Sequence, residues 1–213
     1  MRLKRLEILL GEEKLSKLQS KNVLLLGVGG VGSFCLDCLY RSGISQITIV
    51  DFDTYDESNQ NRQMWSELHE GEVKVEGIGT HYPEVKQLNV RIDKDWVDNF
   101  DFRPFDLILD AIDDTKAKIA LMHKCHDKLI SSMGSAKRLD PTQMEYLSIW
   151  KTSGDKFASK IRYELRKSGF KGDFKVITTK ELPQCTDKGS FVAVTGSFGL
   201  AMCAKAVERL LES

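Results

Sequence analysis

A short apolar run that ends in a glycine cluster constrains this chain more than any other stretch. Residues 22–27 read Asn-Val-Leu-Leu-Leu-Gly, and Val28-Gly29-Gly30-Val31-Gly32 follows at once. A run that is apolar without alternation suits a strand buried on both faces. Glycines let backbone approach a phosphate, and a helix opening there offers free amide donors and a partial positive charge. Residues 30–42 read as that helix, stopped by Gly43, and residues 46–51 (Gln-Ile-Thr-Ile-Val-Asp) as the next strand. Together they form one βαβ unit. On the loop alone, an adenosine nucleotide is expected without saying which one. An NAD-linked dehydrogenase and a tight turn with no ligand both remain open.

The rest of the chain extends this pattern. Leucine spacing predicts an amphipathic helix over 6–20, and 71–82 also reads as helical. Residues 88–92 and 105–110 are expected strands, 115–128 a helix and 129–133 another strand. Such alternation implies a Rossmann-like α/β fold, with a mainly parallel sheet and helices on both faces. Beyond Gly134 the texture changes. A strand over 143–150, a charged helix over 156–167, a short strand over 174–178 and a closing helix over 190–212 make a smaller α+β region. Gly196 and Gly199 suit close packing of that last helix. The expected organisation is one domain over 1–213, with a nucleotide-binding core at 1–135 and a substrate-binding, closing region at 136–213.

Bulk properties narrow the address and the partner. At 213 residues with 41% hydrophobic and 29% charged, the chain can bury a sizeable core. Lys+Arg and Asp+Glu stand at 31 each, so the chain as a whole is not basic. Residues 151–180 depart from this balance, with nine Lys or Arg against three Asp or Glu. That local excess is the footprint expected for a phosphate backbone, though a solvated helix face is the bland alternative. The five cysteines are an odd, scattered set, which is no disulfide framework and fits a reducing compartment. Cys35 and Cys38 sit within a helix and lack a second pair, so packing and no zinc are expected. With neither a signal peptide nor a membrane-spanning run, a cytoplasmic address is expected.

The loop after the second strand separates the nucleotide readings. Asp51 lies where its carboxylate could accept ribose hydroxyls. Asn59 and Arg62 then place an amide and a guanidinium near a nucleotide's phosphates, and Lys74 adds a second cation. A dehydrogenase needs only backbone amides for a pyrophosphate. A nucleotidyl transferase must also neutralise a triphosphate and the charge that develops at the α-phosphorus. The turn Asp110-Ala-Ile-Asp113-Asp114 ends the fourth strand at the carboxyl edge of the sheet. A carboxylate there can hold Mg²⁺, while Asp113 or Asp114 alone could simply cap the next helix.

The ordered series GxGGxG, VDFD, SNxxRQ, a lysine on the next helix and DAIDD resembles the ubiquitin-activating-enzyme-like superfamily, which includes ThiF, MoeB and HesA. The resemblance covers residues 2–135 and implies an ATP-dependent, adenylate-forming enzyme that uses Mg²⁺. It implies that Gly29, Gly30 and Gly32 line the phosphate loop and Asp51 binds ribose. Asn59, Arg62 and Lys74 would contact phosphates and Asp113 would hold the metal. Asp53 and Asp114 are further candidates at the nucleotide. The family pattern also implies a homodimer in which Arg2 or Arg5 reaches the partner's ATP.

Within the superfamily, Met133-Gly134-Ser-Ala-Lys-Arg-Leu-Asp140-Pro141-Thr142-Gln143 and the basic helix after it resemble the tRNA threonylcarbamoyladenosine dehydratase branch. That branch adenylates the threonyl carboxylate of a modified adenosine beside the anticodon, and the neighbouring carbamoyl group then closes a ring. tRNA would meet 151–180, Lys137 and Arg138. The alternative is a ThiF- or MoeB-like adenylyltransferase acting on the C-terminus of a sulfur-carrier protein. Cys185 is the one loop cysteine that could act as a nucleophile, with a plain loop thiol as the alternative. A monovalent cation and a sulfur-transfer or cysteine desulfurase partner are further candidates.

Overall fold

The computed structural model describes residues 2–187 and 189–212. Two short helices, α1 (Lys4–Leu10) and α2 (Glu12–Gln19), precede the first strand. The single helix expected over 6–20 is broken by Gly11, whose φ of 84° an L side chain rarely adopts. Strand β1 (Asn22–Leu26) leads to α3 (Gly32–Arg41) and β2 (Gln46–Asp51). Helix α4 (Lys74–Gly79) is shorter than the 71–82 expected, and β3 (Lys86–Asn89) lies earlier than 88–92. β3 is a largely exposed edge strand of sequence KQLN, so it lacks the apolar signal that marks its neighbours. Helix α5 (Lys94–Asn99) has no counterpart in the sequence reading. Its start is fixed by Asp93, which accepts a hydrogen bond from Trp96 N at 2.9 Å.

Strand β4 (Leu107–Asp110), helix α6 (Thr115–Cys125) and strand β5 (Leu129–Ser132) follow as expected. Next come β6 (Met144–Ser148), α7 (Lys156–Lys167), β7 (Lys175–Thr179) and α8 (Val192–Glu212). The seven strands of the described residues join one sheet in the order β3-β2-β1-β4-β5-β7-β6. Every pairing is parallel except β6 with β7. The second half of the chain therefore continues the sheet of the first.

The unalternating leucines of β1 explain the layers. Val23 and Leu25 face one core, built with Leu36, Leu39, Phe198 and Met202 from α3 and α8. Leu24 and Leu26 face the other, with Leu121 and Met122 of α6 and Ile161 and Leu165 of α7. A central strand buried on both faces is what that run requires. Helix α8 packs closely on α3. A Cβ on Gly199 would lie 2.3 Å from Val31 O, so glycine is needed there. Cys38 of α3 and Cys203 of α8 form a disulfide across this contact. For Cys38 that corrects the expectation of a packing role alone. The partner of Cys38 is a residue 165 positions away, not its neighbour Cys35, which stays a buried free thiol.

Strand order reverses between β1 and β4, because the chain builds outward to β3 and then returns to the other side of β1. A crevice opens at the carboxyl ends of strands at such a switch point.

Candidate functional site

That crevice is a cavity of about 1540 Å³. One wall carries the glycine loop and the segment after β2, and the other carries the loops after β5 and β7. The glycine loop is shaped by two requirements. Gly27 has φ 85°, and a Cβ on Gly32 would sit 1.9 Å from Gly27 O. Any side chain at position 32 would push apart the turn that brings backbone to the ligand. Gly29 and Gly30 line the cavity beside it.

Asp51 ends β2 and is nearly buried. Its carboxylate accepts Val28 N at 2.9 Å and Asp53 N at 3.0 Å, which ties the glycine loop to the loop that follows β2. A carboxylate has about four lone-pair sites, so acceptor capacity remains on the cavity side. Lys74 opens α4 and pairs with Asp53 at 2.9 Å. Both residues line the cavity, and Lys74 is almost entirely buried while Asp53 is half exposed.

Asn59 and Arg62 come from the turn after Asp56, which caps the 3₁₀ segment Glu57–Asn59 by accepting Ser58 N. Arg62 Nη1 donates to Ser58 O at 2.5 Å and Asn61 Oδ1 at 2.9 Å. Among the described residues no carboxylate pairs with it. The Asn59 amide donates to Asp56 Oδ2 at 3.1 Å, and its Oδ1 is buried with no partner among the described residues. The buried Oε1 of Gln63 is unpartnered in the same way, and Gln63 also lines the cavity. A buried acceptor left unmatched costs about 1–3 kcal/mol, so both oxygens suit a donor that arrives with a ligand. Ionised phosphate donates nothing, whereas a ribose hydroxyl does. Sequence reasoning did not select Gln63, although it ends the SNxxRQ motif.

The DAIDD turn divides its work. Asp114 caps α6, accepting Ala117 N at 2.7 Å. Asp113 is left exposed on the cavity wall, with no hydrogen-bond partner among the described residues. Asp110, fully buried, pairs with Lys118 at 2.8 Å. Lys118 also donates to Ser131 Oγ at 3.1 Å and Ser132 O at 2.9 Å, so it bridges the ends of β4 and β5. Burial pulls the Lys118 ammonium below its ordinary value, against the opposing pull of Asp110. Lys118 reads in sequence as one more helical lysine, and nothing local marked it.

The opposite wall includes Ser132–Arg138, Asp155, Lys156, Phe157 and residues 182–186. Lys137 has φ 66°, and its backbone is held on both sides by Gly189 O and Gln184 N. Its Nζ donates to Thr186 O. Arg138 is 4% exposed, so it is a buried wall residue and not the open loop charge its position suggested. Glu181 anchors this loop by accepting Leu139 N and Asp140 N. Burial pushes the Glu181 carboxyl up, but those amides, Gln184 and the charge of Arg138 hold it below the usual carboxylate range. Cys185 is exposed on the same wall.

Helix α7 begins at the cavity with Lys156. It turns Ala158, Ile161 and Leu165 inward and leaves Lys160, Arg166 and Lys167 exposed. Arg2 and Arg5 are placed elsewhere. Arg2 stacks over the Tyr40 ring at 4.1 Å, Arg5 is exposed on α1, and neither lines the cavity of its own chain. No helix of the described residues is long and apolar enough to cross a membrane.

The model of the ThiF family matches residues 3–213. The chain is similar to the tRNA threonylcarbamoyladenosine dehydratase of Bacillus subtilis (strain 168), being 38% identical over 188 residues that cover 83% of this chain and 74% of that protein. Among solved structures it is similar to E. coli tRNA N6-threonylcarbamoyladenosine dehydratase, TcdA, in complex with ATP. There the TM-score is 0.93 at 28% identity, covering 99% of this chain and 94% of that one. The AMP complex of the same enzyme gives a TM-score of 0.94 at 26% identity, with the same coverage.

Proposed function

This chain belongs to the ThiF family, and we infer from that membership and from its cleft that it is an ATP-dependent enzyme dehydrating threonylcarbamoyladenosine in tRNA. The observation that carries the reading is one continuous cavity. It joins the glycine loop, Asp51, Arg62, Lys74 and Asp113 to a second wall from which the basic helix α7 departs.

The chemistry needs activation because a carboxylate is a poor electrophile. One oxygen of the threonyl carboxylate attacks the α-phosphorus of ATP and pyrophosphate leaves. The neighbouring carbamoyl group then attacks the acyl carbon, the ring closes and AMP leaves. Relative to the starting nucleoside, one water is lost. The attacking group is already on the substrate, so the protein contributes mainly positioning and charge stabilisation. Amides of the glycine loop face the phosphates, Asp51 the ribose, and Arg62 and Lys74 the charge at the phosphates. Asn59, as oriented, offers an acceptor to a ribose hydroxyl.

Among the described residues no group of three or more His, Cys, Asp or Glu could hold a metal ion. Mg²⁺ often binds through one or two carboxylates and substrate phosphates, and the free Asp113 fits that role. Bound there, Mg²⁺ would neutralise phosphate charge. We take residues 136–213 as the substrate-binding and closing region. We take the working form as a cytoplasmic homodimer in which Arg2 or Arg5 reaches the partner's ATP.

Nucleoside mass spectrometry of tRNA incubated with the protein and ATP tests the activity. Threonylcarbamoyladenosine should lose the mass of one water. An unchanged nucleoside would refute the reading and favour a sulfur-carrier tail as the substrate. Charge reversal at Lys160 and Arg166, both exposed, tests the RNA surface. Affinity for tRNA should fall, with a shallower dependence on salt, because each phosphate contact contributes a slope of about 0.7–0.9. Unchanged affinity at physiological salt would remove α7 from the interface.

A further inference from the structure

We propose that Arg138 binds the carboxylate of the substrate, and so acts as the acceptor-side cation of the cleft. The proposal rests on the activity inferred under the preceding heading and adds the residue that would select its substrate.

The observation is a buried arginine with no carboxylate in ion-pair contact among the described residues. Arg138 is 4% exposed and lines the cavity. Its Nε is fully buried with no hydrogen-bond partner among the described residues. Among the described residues its side chain makes one hydrogen bond, from Nη1 to Ala136 O at 3.4 Å, at the weak end of the range. No carboxylate stands within 4.0 Å of it among the described residues. Glu181, the acid whose charge it feels, is engaged elsewhere. Its oxygens accept Leu139 N at 2.9 Å, Asp140 N at 2.9 Å and Gln184 Nε2 at 3.1 Å.

Guanidinium cannot shed its proton to escape burial. An unpaired buried charge is costly, and here the loop is held on both sides of Arg138, at Lys137 by Gln184 and Gly189 and at Leu139 and Asp140 by Glu181. The cost is relieved if a bound oxyanion meets the guanidinium where Arg138 lines the cavity. The other cations of the cavity differ. Lys74 is paired with Asp53. Arg62 belongs to the nucleotide wall. Lys137 donates to Thr186 O, and Lys156 is exposed at the foot of α7.

Two oxyanions of a modified tRNA could meet Arg138, a backbone phosphate or the threonyl carboxylate. Burial decides between them. A polymer backbone lies along exposed charge, which α7 provides, whereas a carboxylate on a side arm of a base can enter a closed wall. The acceptor must also approach a polyanionic triphosphate, and a cation beside it lowers that repulsion. Held by the guanidinium at one oxygen, the carboxylate keeps the other free for the α-phosphorus.

The test compares two forms of one tRNA, with and without the threonylcarbamoyl group, binding to the wild-type protein, R138Q and R138K at physiological salt. ATP binding and thermal melting of each variant report the fold. Wild-type protein should prefer the modified tRNA. R138Q should weaken that preference by about 10- to 100-fold, the size of one charge-assisted hydrogen bond, and leave affinity for the unmodified form unchanged. R138K should keep part of the preference, and it carries the test if R138Q does not fold. Equal weakening of both forms would overturn the assignment in favour of a phosphate contact. An unchanged preference, in a wild-type protein that does dehydrate the nucleoside, would overturn it outright. A wild-type protein that leaves the nucleoside intact would overturn the inferred activity and this assignment with it.

Discussion

Replacing Arg62 with alanine is expected to lower ATP-dependent dehydration of tRNA by about 10²–10³-fold, the loss seen when one preorganised donor to a developing charge is removed. Among the described residues the Arg62 guanidinium donates to Ser58 O and Asn61 Oδ1 and has no carboxylate partner. Its charge is therefore uncommitted, in contrast to Lys74, which is paired with Asp53. The fold should survive, because Arg62 is partly exposed and its backbone remains tied to Asn59 O. The measurement is product formation under saturating ATP, with melting temperature as the control. Activity within threefold of wild type would remove Arg62 from the reaction. Loss confined to the KM for ATP would make it a ground-state contact, equally strong before and during reaction.

Lys118→Ala should produce the largest loss of stability, about 3–5 kcal/mol, because it strands a buried charge. Asp110 and Lys118 are both fully buried and pair at 2.8 Å. Without the ammonium, Asp110 retains Ser131 Oγ at 2.6 Å and Ile112 N at 3.2 Å, but no cation. For a domain of this size the melting temperature should fall on the order of 10 °C. Adding Asp110→Ala to Lys118→Ala should recover part of the loss, since the uncompensated charge is then gone. A single-variant cost below about 1 kcal/mol, or a double variant less stable than the single, would contradict the account of a paired buried charge. Activity should fall as well. Lys118 joins the ends of β4 and β5, and the DAIDD turn and the Met133–Arg138 loop both hang from those ends.

Much of the nucleotide wall was legible because its signals are local. The run before Gly27, the glycines at 29, 30 and 32 and the acid closing β2 follow one another within a single βαβ unit. Each position there has a backbone or hydrogen-bonding reason that needs no distant partner. Arg62 and Lys74 lie on the connection that follows β2 and Asp113 on the turn that follows β4, and a parallel sheet gathers the connections at its carboxyl ends along one edge. The second wall was less legible. Arg138 reads in sequence as a loop charge, and its burial depends on Glu181, Gln184 and Gly189, all more than 40 residues away. Lys118 is hidden for the same reason, since its partners lie on the end of one strand and on the next. The edge strand β3 and the helix α5 were misplaced or missed because neither carries a strong apolar period.

By itself, then, the sequence determined the class of sheet and the glycine turn, and pointed to adenylating chemistry over a dehydrogenase. Those properties rest on periodicity and on residues close together along the chain. Only the tertiary structure decided which of two adjacent acids caps α6, which lysine is buried beneath the site and which cysteine meets Cys38. It also decided which arginine of the second wall is buried with no carboxylate in ion-pair contact among the described residues. Each of these is settled by burial and by a partner distant in sequence, and a buried charge or thiol looks the same in sequence as an exposed one.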